Sequence, residues 1–256
     1  MAQGRSKARE RELPPPLPPE TRTVGQLVAE AIRLYGSVFF RALPLGLVVA
    51  CANQVAHGLS KEANALVLLA AAPLFSAAYA YASQLATRTK APLGTWVVAV
   101  VVGTLVFVPA AVLLPWFALA GVLWLALFGL AVPAAMAEGT SFGASLRRGL
   151  DLGRADVVHA AGALATLVIL FALTRIGLAL LLDSQAENTV RTAVFLADLV
   201  LSPLLFLGGA LLYVDQEARL GSRHDRGKER DAHVPDADAT DGEGGADPAR
   251  EPRPPA

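Results

Sequence analysis

The stretch VVHAAGALATLVILFALTRIGLALLL, residues 157–182, holds one Lys, Arg, Asp or Glu, which is Arg175. A helix needs about 20 mostly apolar residues to cross a bilayer, so this run predicts a transmembrane helix. Five other stretches of the chain are apolar over a similar length. The other apolar runs cover about 38–59, 63–86, 95–114, 116–137 and 190–214. We therefore predict an all-α polytopic membrane protein with six spans in three hairpins.

The distribution of charge supports a membrane-embedded domain over residues 22–219. The chain is 54% hydrophobic and 17% charged, whereas soluble domains carry about 25% charged residues. From Ser37 to Val214 we count nine Lys/Arg and seven Asp/Glu, which leaves the other 28 charges for the two ends. A Pro-rich tail, 1–21, and a polar tail, 220–256, lack the apolar residues of a core and are predicted to be disordered. No basic patch interleaved with aromatic residues indicates a nucleic-acid partner.

The boundary between the third and fourth runs has no polar loop. The sequence there is VPAAVLLPWFALAG, residues 108–121. One helix over both runs would be 43 residues long and would overshoot the bilayer. We predict a tight turn marked by Pro109 and Pro115, since proline interrupts helices.

Two amphipathic segments precede apolar hairpins. In TVGQLVAEAIRLYG, residues 23–36, Thr23 and Gln26 have the spacing of a capping box. A second segment covers 141–154. Both are predicted to be short helices that lie along the membrane interface.

The Lys/Arg distribution predicts the orientation. With the N-terminus inside, the outer loops hold only Lys61 and Arg191, and the other segments outside the membrane carry the basic excess. This is the positive-inside pattern, so both termini are predicted to be cytoplasmic. We expect a protein of the bacterial cytoplasmic (inner) membrane, and the Ala/Leu/Val/Arg-rich, Lys-poor composition fits a high-GC genome.

Arg175 and Asp198 are opposite charges inside the fifth and sixth runs. They lie at similar distances from the loop midpoint near Ala186, which places both roughly 12 Å below that loop. One interpretation is an ion pair that fixes the register of the hairpin, and the other is a polar site for a substrate or a lipid headgroup. A second polar group, formed by Asn53, Gln54 and His57, lies near the outer end of the first span. We expect these side chains to form hydrogen bonds between helices.

The sequence offers no catalytic constellation. His57, His159, His224 and His233 lack the spacing of metal ligands. We find neither a nucleophile elbow nor a phosphate-binding loop, and we predict no enzyme activity and no cofactor. We also find none of the inverted, Gly/Pro-broken helices that indicate a transporter site.

The segment AVPAAMAEGTSFGASLRRGLDLGRAD, residues 131–156, resembles the multi-span membrane domain that precedes the catalytic domain of some bacterial glycerophosphodiester phosphodiesterases, and its stand-alone relatives. The similarity covers roughly residues 22–219, and Gly149 stands where that pattern has Ser. The resembling residues are Pro133 as the end of a helix, Glu138, Gly139, Ser141, Ala144, Leu146, Arg147, Arg148, Leu152 and Arg154, followed by Tyr213, Asp215 and Arg219 after the last span. The resemblance implies a six-span module, and the phosphodiesterase activity is not expected because no catalytic barrel follows.

The residues of this segment also have a local explanation. Ser141 is predicted to cap a helix whose Arg147 and Arg148 face phosphates, with Arg154 further along the same basic segment. Glu138 is positioned to pair with one of the arginines. The apolar residues Phe142, Leu146 and Leu150 would then face acyl chains.

These observations favour a non-enzymatic module that organises membrane lipid or a partner protein bound through the cytoplasmic tails. A PxxP pattern, Pro15 to Pro18, is a candidate docking motif in the first tail, although such a run also serves as a spacer. The alternative is a small transporter or channel that uses Arg175 and Asp198.

Overall fold

The computed structural model describes residues 18–232, and this part of the chain is helical without any strand. The predicted all-α fold is confirmed. A 3-10 turn at Pro19–Thr21 precedes nine α-helices in the described part of the chain. Their bounds are α1 Val24–Ala56, α2 Lys61–Thr87, α3 Leu93–Leu113, α4 Ala118–Phe128, α5 Ala131–Glu138, α6 Phe142–Ala155, α7 Val157–Leu181, α8 Glu187–Leu201 and α9 Pro203–Ala232.

Six helical segments in residues 18–232 are long and apolar enough to cross a membrane, which confirms the six predicted spans. Four of them are single helices, namely α1, α2, α3 and α7. The fourth span, Ala118–Glu138, consists of α4 and α5, and the sixth, Glu187–Arg223, consists of α8 and the first part of α9. Successive spans pack as neighbours, and α1 also packs against α8, which brings the first span against the last.

The capping box at the start of α1 is confirmed. The Thr23 hydroxyl accepts from the Gln26 N–H, and the Gln26 side chain accepts from the Thr23 N–H. The helix predicted over 23–36 is present as the first part of α1, and a kink at Val38, whose backbone is non-helical, separates it from the first span. Its apolar face enters the core, where Leu27 and Ala31 are fully buried.

The turn between the third and fourth spans lies at residues 114–117. Pro115 is in this turn, as predicted, but Pro109 is inside α3. A helix tolerates proline within a membrane when neighbouring groups satisfy the freed backbone. The Trp124 indole N–H donates to the Val106 carbonyl at 2.8 Å and joins the two arms of this hairpin.

The fourth span is interrupted at Gly129 and Leu130, where α4 ends and α5 begins. Pro133 was expected to end a helix, and the structure places it in the first turn of α5 instead. The first N–H groups of a helix have no intrahelical acceptor, so proline loses nothing there. The backbone at the interruption stays in the right-handed helical region, which makes it a narrow break rather than an unwound loop.

The sixth span is interrupted at Ser202, before Pro203. Proline has no N–H, so the Leu199 carbonyl four residues earlier loses its helical donor. This carbonyl lies against Gly46 of α1, where any Cβ would collide with it. Both the fourth and the sixth spans are therefore interrupted, at Gly129 and before Pro203, where no break was expected from the sequence.

Helix α9 runs through the start of the polar tail, since residues 220–232 continue it to Ala232. The remaining residues of both predicted tails, including Pro15 of the PxxP pattern, lie outside the described residues. In the first tail, Pro19–Thr21 form the 3-10 turn.

The interface helix α6 packs small residues against the bundle. Its buried face contains Ser145, Gly149 and Gly153. A Cβ on residue 149 would collide with the Ala131 backbone, so glycine is the residue that permits this contact. Phe142 is 40% exposed, consistent with a membrane-facing position.

Ser141 occupies the N-cap position of α6, but its side chain makes no capping hydrogen bond. The side-chain hydrogen bonds of this turn are made by Thr140 and Ser145 instead. The Ser145 hydroxyl lies 2.8 Å from that of Thr140 and donates to the Ser141 carbonyl at 2.9 Å.

We predict that Gly149→Ala lowers the free energy of unfolding by about 1–3 kcal/mol, because the added methyl meets backbone that cannot rotate away. The matched control is Gly143→Ala in the same helix, where a Cβ would meet open space. Helix propensity alone makes that change neutral or stabilising by up to ~1 kcal/mol. SDS titration in mixed micelles measures both values, and equal losses would contradict the packing explanation.

Candidate intramembrane site

Arg175 of α7 and Asp198 of α8 form an ion pair, with Nε 3.1 Å from Oδ1. The Asp198 side chain is 1% exposed and that of Arg175 is 34% exposed. A charge deep in a bilayer costs about 3 kcal/mol on insertion scales, and a paired charge costs less. The arginine lies six residues from the end of α7 at Leu181, roughly 9 Å inside that end at 1.5 Å per residue.

Asn53 of α1 completes this polar group. Its side-chain N–H donates to Asp198 Oδ2 at 2.8 Å. Asp198 is thus held by two side chains from two other helices, and we call Asn53, Arg175 and Asp198 the polar triad. The triad joins the first, fifth and sixth spans at one depth.

The other polar residues considered from the sequence do not join the triad. Gln54 and His57 make no side-chain hydrogen bond in the described part of the chain, so only Asn53 of that group connects helices. The hydroxyls of Thr174 and Thr192 donate to carbonyls of their own helices. Ser202 donates to the backbone carbonyl of Asp198 at 2.6 Å and supports the helix beside the triad.

A cavity of about 300 Å³ lies between the helices next to the triad. Arg175 and Asn53 form part of its wall, together with the hydroxyl-bearing Tyr79. The rest of the wall is apolar and comes from all six spans. These residues are Val49, Leu68, Phe75, Phe107, Ala110, Ala111, Leu114, Val122, Leu125, Gly129, Leu164, Val168, Phe171, Leu205, Phe206 and Gly209.

The guanidinium of Arg175 also lies 5.8 Å above the Phe171 ring. A cation over an aromatic face gains electrostatic stabilisation and has a restricted orientation. Arginine carries five N–H donors, and in the described chain the terminal nitrogens of Arg175, whose Nε lies 3.1 Å from Asp198, have no hydrogen-bond acceptor. The arrangement can therefore donate hydrogen bonds into an otherwise apolar cavity.

A second group of charges lies where α1 begins and α9 leaves the bundle. Glu138 accepts from Arg148 at 2.8 Å and from the Tyr213 hydroxyl at 3.2 Å. Burial lowers the pKa of the Arg148 guanidinium, but the Glu138 carboxylate outweighs burial and the pKa of Arg148 is raised. Arg148 is thus engaged with the protein, whereas Arg147 and Arg154 are exposed.

Asp215 and Asp156 extend this second group into what we call the terminal cluster. Arg22 lies 3.0 Å from the fully buried Asp215, and Arg219 lies 3.0 Å from Asp156. Arg219 also donates to the Arg22 carbonyl at 2.6 Å. Sequence reasoning singled out Asp215 and Arg219 by resemblance alone and missed Arg22 and Asp156, since charges at the ends of apolar runs are ordinary.

Comparison with protein-family models, with curated proteins and with solved structures gives no match. What the site binds must follow from its own shape and charge. The described residues contain no group of three His, Cys, Asp or Glu side chains placed to hold a metal ion. The chemistry available in the cavity is hydrogen-bond donation and apolar contact.

We predict unequal effects from breaking the ion pair. Arg175→Leu leaves a fully buried carboxylate and should cost about 3–5 kcal/mol of stability. Asp198→Leu should cost less, because the partly exposed Arg175 side chain can extend toward the membrane surface. Unfolding in SDS mixed micelles measures both.

The double variant Arg175→Leu/Asp198→Leu completes a double-mutant cycle with these two single variants. A purely structural pair replaced by apolar side chains of similar size often gives little net loss. We expect the double variant to be more stable than Arg175→Leu. Additive losses would show that the two charges do not depend on each other.

Proposed function

We propose that this chain is a non-enzymatic, multi-pass module of the bacterial cytoplasmic membrane that organises lipid. This proposal rests on the cavity of about 300 Å³, whose wall is apolar except for Arg175, Asn53 and Tyr79. The cavity is partly open to its surroundings, so acyl chains of the bilayer can enter it. An acyl chain that fills it covers apolar wall that no helix of the described chain covers.

The surroundings of the cavity suit lipid more than a water-soluble ligand. Apolar cavities much smaller than this one stay dry and accept apolar guests. The cavity lies within helices that cross the membrane, so acyl chains are the apolar material at hand. The resemblance to stand-alone relatives of the phosphodiesterase membrane domain supports a module of this kind.

The proposal includes the orientation of the chain in the membrane. The Lys/Arg pattern favours both termini in the cytoplasm, which places the terminal cluster and α6 at the inner surface. Exposed Arg147 and Arg154 would then lie near anionic headgroups, where each basic residue contributes about 1 kcal/mol. A partner protein bound through the tails is compatible with this role.

The test is mass spectrometry of lipid retained by the protein purified in lipid particles. We expect a reproducible lipid companion, and we expect Val168→Trp, which fills the cavity, to lose it. The matched control Ile169→Trp changes the next residue, which is 55% exposed on the outer face of α7, and should keep the lipid. A well-folded Val168→Trp protein that retains the same companion would refute the cavity as the lipid site.

A small transporter or channel is the second candidate function. It is favoured by the interruptions of the fourth and sixth spans, because transporters place their sites at discontinuous helices. Gly129 at one interruption lines the cavity, and Leu205 and Phe206 line it just after the other. Ion flux in proteoliposomes, measured with a potential-sensitive dye, should then be lost in Arg175→Leu/Asp198→Leu. Absence of flux in the unaltered protein would count against a channel or electrogenic carrier.

A further inference from the structure

We propose that the cavity selects a neutral single-chain acyl ester, of the monoacylglycerol class, over the corresponding fatty carboxylate. This inference rests on the proposed lipid-holding function and names the head group that the polar triad recognises. It depends on which polar groups reach the cavity, on their net charge, and on the room available for alkyl chain.

The polar groups that reach the cavity combine donors and an acceptor. Arg175 and Asn53 line it, whereas Asp198 lies behind them and is not part of the wall. Asp198 Oδ1 lies 3.1 Å from Nε of Arg175, and within the described residues the terminal nitrogens of that guanidinium make no hydrogen bond. Asn53 uses its N–H toward Asp198, so its carbonyl oxygen is left as an acceptor.

An ester with a free hydroxyl matches this set. The ester carbonyl accepts from the guanidinium, and a glycerol hydroxyl donates to the Asn53 carbonyl. Phe171 under the guanidinium keeps its plane in a fixed direction. A head group that only accepts cannot use the Asn53 oxygen, whereas a hydroxyl adds a second hydrogen bond.

The net charge argues against an anionic head group. Arg175 contributes +1 and Asp198 contributes −1, so the triad is neutral before any ligand binds. A carboxylate in the cavity would add a charge that nothing compensates, and it would approach the Asp198 carboxylate. On insertion scales, an uncompensated charge at this depth corresponds to a discrimination of about a hundredfold.

The cavity volume favours one chain. At about 300 Å³ it lies at the small end of ligand pockets, which run from roughly 300 to 1,000 Å³. Leucine, valine and phenylalanine side chains make up most of the wall. Arg175 lies roughly 9 Å inside the end of α7, so the ester sits below the membrane surface and its alkyl chain extends further inward.

The experiment offers the purified full chain, in non-ionic detergent at pH 9, an equimolar mixture of monooleoylglycerol and oleate. These probes share one acyl chain, and the carboxylate is ionised at this pH. Native mass spectrometry gives the ratio of the two bound species. We expect the unaltered protein to favour the ester by at least about tenfold.

Asp198→Asn tests the charge argument directly. It keeps an acceptor for Asn53 and leaves Arg175 as an unneutralised cation, so the bound ratio should shift toward oleate by at least about tenfold. The control is Glu187→Gln on the same helix, which removes an exposed carboxylate away from the cavity and should leave the ratio unchanged.

The outcomes separate this inference from the proposed function. If the unaltered protein binds oleate as well as the ester, the selectivity inference is overturned and the lipid-holding module stands. If neither probe binds, the selectivity inference is also overturned, and the proposed function then depends on the lipid retained from the membrane. If Val168→Trp leaves both probes bound, the cavity is not the lipid site and the proposed function falls as well. The first comparison uses the unaltered protein, so it tests the selectivity even if the Asp198→Asn variant is unstable.

Discussion

The carboxylate of Asp198 is the constraint on which the described arrangement depends. It is almost fully buried among apolar helices, and it is tolerable there only because Arg175 and Asn53 reach it from two other spans. These contacts fix the rotation of α7 and α8 about their axes, since a turned helix would remove a partner from a buried charge. Two of the helices that carry the triad, α1 and α7, also contribute to the cavity wall, so the triad fixes that part of its shape.

Small residues then set how closely the helices approach. Without water to drive association, helices in a membrane depend on close packing, and Gly at a contact brings backbones together. Gly46 admits the Leu199 carbonyl that Pro203 leaves without a donor, and Gly149 admits the Ala131 backbone. A glycine on a neighbouring helix therefore contacts each of the two interrupted spans close to its break.

Much of the fold was predictable because it depends on local properties of the chain. Apolar runs near 20 residues gave the six spans, and the Thr23 and Gln26 spacing gave the start of α1. The buried face of α6 was not predictable, because Ser145, Gly149 and Gly153 carry almost no hydrophobic signal although they pack tightly. The equal depth of Arg175 and Asp198 was visible in the sequence, but the contribution of Asn53 depends on helix rotation. The cavity has no sequence signature, since its wall is made of the residues that any span contains.

The separations of the paired charges along the chain bear on how the protein is assembled in the membrane. Arg175 and Asp198 lie in adjacent spans, so this hairpin can insert with its two charges already neutralising each other. Arg22 and Asp215 are 193 residues apart, and the first of them emerges long before the second is synthesised. The terminal cluster therefore closes only after the sixth span has been inserted. Until then Arg22 lacks the carboxylate that it meets in the folded bundle.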